Sequence, residues 1–77
     1  MKTGKYSQLA GKKVKEMRIA RNMTVKQLAQ AAKLSVSTIY RIETGRSDIN
    51  LFTIYQLCAA FKVKELDFIK SLEQKTV

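Results

Sequence analysis

Side chains able to carry covalent or acid–base chemistry are scarce in this 77-residue sequence: it has no histidine, one cysteine (Cys58) and six carboxylates spread along the chain. Nucleophilic or general acid–base catalysis needs a base beside a nucleophile, and a metal centre needs clustered His, Cys or carboxylate ligands. Neither pattern occurs, so no enzyme activity, metal or other cofactor is expected. What the chain offers instead is positive charge, +9 from fifteen Lys and Arg against six Asp and Glu. Residues 1–46 carry Lys2, Lys5, Lys12, Lys13, Lys15, Arg18, Arg21, Lys26, Lys33, Arg41 and Arg46 against Glu16 and Glu43, whereas residues 47–77 hold four charges of each sign and balance. A distribution of this kind attracts a polyanion, nucleic acid or anionic lipid; the blander reading is a solvated basic surface that keeps the protein soluble.

One group of residues in the basic part has the sizes and spacing to choose between these. Val36, Ser37, Tyr40 and Arg41 fall at i, i+1, i+4 and i+5, which a helix places on one face. Small, hydroxyl-bearing and fork-shaped groups suit base edges in a major groove about 12 Å wide: an Arg41 guanidinium matches guanine O6 and N7, Val36 a thymine methyl, and Tyr40 either a base edge or a phosphate. Around them Thr24, Lys26, Lys33, Ser35, Thr38, Arg46 and Ser47 are donors suited to phosphate oxygens, contacts that position a protein rather than specify a sequence.

Helices must hold these side chains in place. The chain has no proline, three glycines and 45% apolar residues, a composition suited to short helices and tight turns, so an all-α fold is expected. Ser7 is read as the cap of a first helix running to about Arg21, with Ala10, Val14 and Met17 inward and Asn22 as its left-handed stop. Thr24 and Gln27 form a capping box for a second helix, Val25 to Ala32, whose inner side is Leu28, Ala29 and Ala32. Lys33 and Leu34 turn, and Ser35 caps a third helix spanning 36–44, with Ile39 and Ile42 inward and Thr44 and Gly45 as its stop. Asn50 caps a fourth over Leu51 to Phe61, its inner side predicted as Leu51, Ile54, Leu57, Cys58 and Phe61. A fifth, from about Glu65 to Gln74, is predicted to bury Leu66, Ile69 and Leu72 and to carry Phe68 on its shoulder. Two helices of about eight residues joined by a three-residue turn must cross steeply, which needs a small residue at the crossing; Ala29 meets that need, with Leu28, Ala32, Leu34, Ile39 and Ile42 filling the wedge around it.

With these elements in place, the run KKVKEMRIARNMT (12–24), the pair VKQLAQAAKLSVSTIYRIETG (25–45) and NLFTIYQLCAAFKV (50–63) resemble the lambda-repressor-like helix-turn-helix family, which includes phage Cro and repressor proteins and many bacterial Xre-type regulators. The resemblance covers Gly11 to Ile69. It implies a compact five-helix domain whose second and third helices read DNA, a transcriptional regulator, and an ion pair between Arg18 and Glu43 joining the first helix to the third. Three positions depart from the family pattern: Val25 stands where glutamine is usual at the start of the second helix, Lys33 replaces the turn glycine, and Ile49 replaces a proline in the loop after Gly45.

The expectation is therefore one domain over 1–77, with a core at 7–74 and flexible ends at 1–6 and 75–77, acting as a sequence-specific double-stranded DNA-binding regulator or repressor. Such a short chain buries only about 60–65% of its unfolded surface. With one recognition helix per chain, a homodimer on a palindromic operator is expected, its interface drawn from Phe52, Tyr55, Phe68 and Leu72. The sequence shows no signal peptide or apolar run of spanning length, and its lone cysteine fits a reducing cytoplasm; membrane binding and a small-molecule ligand are not expected. The competing reading is an RNA-binding or protein-bridging module on the same fold.

Overall fold

A computed structural model describes residues 5–75, and within them the chain forms five helices: α1 Lys5–Ala20, α2 Val25–Ala32, α3 Val36–Glu43, α4 Leu51–Phe61 and α5 Glu65–Lys75. Of the ends predicted flexible, 1–4 and 76–77 lie outside the described residues, while Lys5 and Tyr6 open α1 and Lys75 closes α5.

Local chemistry accounts for most helix boundaries. The Thr24 hydroxyl accepts the Gln27 N–H (3.0 Å) and the Gln27 side-chain Oε1 accepts the Thr24 N–H (2.9 Å), the reciprocal pair that starts α2. Ser35 Oγ accepts the Thr38 N–H (3.0 Å) at the start of α3, and Asn50 Oδ1 accepts the Thr53 N–H (2.8 Å) at the start of α4. Glu65 and Asp67 place negative charge in the first turn of α5, where the helix dipole favours it. The first four helices end alike, on a left-handed residue followed by an N–H that reaches back five positions: Asn22 (φ 56°), Lys33 (φ 59°), Gly45 (φ 71°) and Lys62 (φ 60°), with Met23 bonding Arg18, Leu34 bonding Ala29, Arg46 bonding Arg41 and Val63 bonding Cys58.

The core gathers Ala10 and Val14 from α1, Leu28, Ala29 and Ala32 from α2, Ile39 and Ile42 from α3, Leu57, Cys58 and Phe61 from α4, and Phe68 and Leu72 from α5. Burial pushes the Cys58 thiol up to about 11, with the charge of Glu65 adding to the effect.

Four expectations change. Ser7 is no cap: it lies inside α1, buried, and its Oγ accepts the Ile49 N–H (3.1 Å), fastening the loop after α3 to the first helix. Phe68 is only 3% exposed and Leu72 is buried beside it, so neither forms an open surface on this chain. These two are four residues apart, about 40° around the helix, whereas Leu66 sits about 120° from Leu72; the inward stripe therefore passes through Phe68, and Leu66 is exposed. Leu51, predicted to face inward, lies within about 20° of buried Cys58 around the helix but is 77% exposed, because it opens α4 two turns before the residues that reach the core.

Candidate nucleic-acid interface

A carbonyl and a carboxylate hold α3 against α1. Gly11 meets the backbone of Ile42, where any Cβ would collide with the Ile42 carbonyl oxygen, so only glycine permits this approach. About two turns further along α1, Arg18 Nε donates to Glu43 Oε2 (2.8 Å) and its Nη2 to Oε1 (3.2 Å), while Nη1 donates to the Met23 carbonyl (2.8 Å). The pair implied by the family resemblance is thus bidentate and mostly enclosed, with side chains 13% and 5% exposed. The hydrogen bond to Glu43 raises the Arg18 pKa above its ordinary value against the opposing effect of burial, and the guanidinium stays charged. The same arginine therefore joins α1, the turn before α2, and the last residue of α3.

With its inner side occupied by Ile39 and Ile42, α3 leaves an open face of about 140° that carries Val36, Ser37, Tyr40, Arg41 and Thr44, all exposed. All four predicted base-reading residues share it. The Thr44 hydroxyl donates to the Tyr40 carbonyl (2.7 Å), while Ser37 and Arg41 make no side-chain hydrogen bond or ion pair among the described residues.

The predicted phosphate-facing residues divide. Lys33 at the turn before α3 and Arg46 just beyond its end are exposed cations, and Lys26 is exposed on α2. The hydroxyls of Thr24, Ser35 and Thr38 are engaged locally: Thr24 and Ser35 cap their helices, and Ser35 Oγ and Thr38 Oγ1 share a hydrogen bond of 2.8 Å. Ser47 is half-buried and donates to the Asp48 carbonyl. Sequence reasoning missed Gly11, although a glycine inside a helix, costing about 1 kcal/mol relative to alanine, signals a close backbone approach. It also missed Arg21, whose guanidinium lies 5.1 Å from the Phe61 ring centroid and links the ends of α1 and α4. Among the described residues no cluster of His, Cys, Asp or Glu could hold a metal, and no helix is long and apolar enough to cross a membrane.

The geometry has parallels among solved structures. The restriction-modification controller C.Esp1396I superposes with a TM-score of 0.87 at 18% identity, covering 96% of this chain and 95% of that one. The clp gene regulator ClgR from Corynebacterium glutamicum gives 0.85 at 18% identity over 96% of each chain. The controller C.AhdI from Aeromonas hydrophila gives 0.76 at 22% identity over 80% of this chain and 94% of its own. Comparison with curated proteins gives no significant match. A family model described as helix-turn-helix matches residues 14–68, from the middle of α1 into α5 and across the whole α2–α3 unit. The chain belongs to the helix-turn-helix family, in its lambda-repressor-like branch of DNA-binding regulators.

Proposed function

We propose that this protein is a non-catalytic transcription regulator that lays α3 in the major groove of double-stranded DNA and binds a palindromic operator as a homodimer. The observation that carries the reading is the open face of α3: Ser37 and Arg41 stand outward without partners among the described residues, an exposed cation stands beyond each end of the helix, and a bidentate ion pair fixes the helix from behind. Lys33, Arg46 and Lys26 neutralise phosphates, Ser35, Thr38, Thr24 and Ser47 set the adjoining backbone, and Val36, Ser37, Tyr40 and Arg41 meet base edges. A DNA regulator of this kind works where the genome is, in the cytoplasm.

One recognition helix spans only about four or five base pairs, so useful selectivity requires two copies on half-sites about 34 Å apart. Phe52 and Tyr55 remain on the surface proposed for self-association, and Leu51 and Ala59 share their edge of α4 within an arc of about 100°. Phe68 and Leu72 support that surface from the core instead of forming it.

Three phosphate-facing cations per protomer, six per dimer, set a log–log slope of affinity against salt of about −5. Titrating a selected duplex between low and physiological salt measures it. Affinity that barely changes with salt would reject phosphate neutralisation as the main source of binding, and a preference for single-stranded RNA over the duplex would favour the competing module.

A further inference from the structure

Hydrogen-bonding capacity on the open face of α3 is narrower than its five exposed residues suggest. The Thr44 hydroxyl is committed to the Tyr40 carbonyl, and the Thr38 hydroxyl to Ser35. Ser37, Arg41 and the single hydroxyl at the tip of Tyr40 remain as polar readers. The bidentate partners of adenine are Asn and Gln and the acceptors for cytosine are Asp and Glu; the open face has none of these, and the one carboxylate of α3, Glu43, is held by Arg18. Of these three, only the arginine fork makes a two-point hydrogen-bonded choice of base, and that choice is guanine.

Most of the rest of the face is apolar. Val36 is 40% exposed and Tyr40 57%, and their i, i+4 spacing sets them side by side along the helix, with Thr44 four residues beyond Tyr40. A single exposed apolar residue is ordinary on a protein surface. Here two large ones adjoin on the open face of a helix preceded by exposed Lys33 and followed by exposed Arg46, where a solvated helix would carry charged side chains. The apolar feature that a base edge offers in the major groove is the C5-methyl group of thymine.

Resting on the DNA-binding reading above, we propose that Val36 and Tyr40 form a ledge that recognises pyrimidine C5-methyl groups, so that each half-site is read as thymine methyls beside one guanine held by Arg41. Because the contact is to the methyl and not to a hydrogen-bonding edge, 5-methylcytosine, which carries the same group at the same place in the groove, substitutes in part for thymine. The protein thereby distinguishes methylated from unmethylated cytosine at those positions.

The test uses the full chain and a site enriched from random duplexes, in which each thymine is replaced in turn by uracil, which lacks only the methyl. Replacement at a contacted position should weaken binding about fourfold, the effect of returning one methyl group to water. Val36→Ala and Tyr40→Ala should each lose this discrimination at one position, binding thymine and uracil duplexes equally there, while 5-methylcytosine at that position should bind the parent protein more tightly than cytosine. Both side chains are exposed, so the variants keep the core intact, and circular dichroism verifies that they fold. A parent protein indifferent to uracil at every position, or variants that retain the parental thymine-to-uracil ratio, would overturn the ledge while leaving DNA binding in place. Failure to enrich any duplex sequence would overturn the DNA-binding reading itself.

Discussion

The open face of α3 and the open face of α4 are both uncovered sides of short helices, yet their chemistry differs. On α3, Val36 and Tyr40 lie beside Ser37 and Arg41, with exposed Lys33 and Arg46 near the two ends. On α4, Leu51, Phe52, Tyr55 and Ala59 form a surface without a charged member. The first is suited to a charged, grooved partner and the second to another apolar surface. Their support differs too. Behind α3 stand the Gly11 approach and the Arg18–Glu43 pair, each a contact of fixed geometry, whereas α4 rests mainly on the apolar packing of Leu57, Cys58 and Phe61. Reading a base edge tolerates little displacement, and joining two apolar surfaces tolerates more, so rigid backing is where accuracy is needed.

Removing that backing should have the largest effect. Glu43→Ala leaves the enclosed Arg18 charge without its partner and is expected to destabilise the fold by about 3 kcal/mol, measured by urea unfolding. Its loss of DNA affinity should exceed its loss of self-association when both are measured under conditions where the chain is folded. Equal losses would mean that the pair supports the whole domain and not the reading helix in particular.

Next come two substitutions on the faces themselves, expected to separate cleanly. Arg41→Ala should relax preference at one base pair by about 1–3 kcal/mol without altering sedimentation. Phe52→Glu should shift the chain toward monomer in sedimentation while leaving the thermal midpoint of the monomer within a few degrees, because Phe52 is exposed and its loss opens no cavity. Equal weakening of cognate and random DNA by Arg41→Ala would remove its reading role, and a Phe52→Glu dimer as strong as the parent would move the interface off α4.

Much of this layout is legible in the residues because it is local. Thr24 with Gln27, Ser35 and Asn50 name their helix starts through bonds that span three residues, and Asn22 and Gly45 name stops for the same reason. The open face of α3 is equally legible, since a helix with Ile39 and Ile42 inward has only one way to turn Val36, Ser37, Tyr40 and Arg41. Ser7 misleads because its partner, the Ile49 amide, is 42 positions away and no local pattern points to it. On α5 the residues Leu66, Phe68, Ile69 and Leu72 support two overlapping inward stripes, and the pocket made by α1 and α4 decides in favour of Phe68. That choice also removed Phe68 and Leu72 from the surface proposed for self-association.

The smallest expected effect contrasts two matched turns. Lys33 and Lys62 adopt nearly the same left-handed conformation, so Lys33→Gly and Lys62→Gly should each stabilise the fold by about 0.5 kcal/mol, relief of backbone strain exceeding the added chain entropy of glycine. Only the first should weaken DNA binding, and to the same degree for all sequences, because Lys33 adjoins α3 and Lys62 ends α4. Calorimetry and a binding titration on the two variants measure both quantities. Equal affinities for the two would remove Lys33 from the phosphate contacts.

The burial of Cys58 gives the native chain a built-in chronometer. It is the sole thiol of the sequence, fully enclosed, with an ionisation pushed up to about 11. The thiolate is the form that attacks an alkylating reagent and displaces its leaving group, so in the closed state the sulfur is inert twice over, by access and by protonation. Labelling therefore counts the moments when the core around Cys58 opens, and its rate tracks opening events that equilibrium melting averages out. Adding duplex, or raising protein concentration, lengthens the interval between those moments in proportion to how strongly each ligand prefers the closed chain. Mass spectrometry of an unmodified sample can thus rank operators and self-association on one common scale, with no dye or engineered label attached.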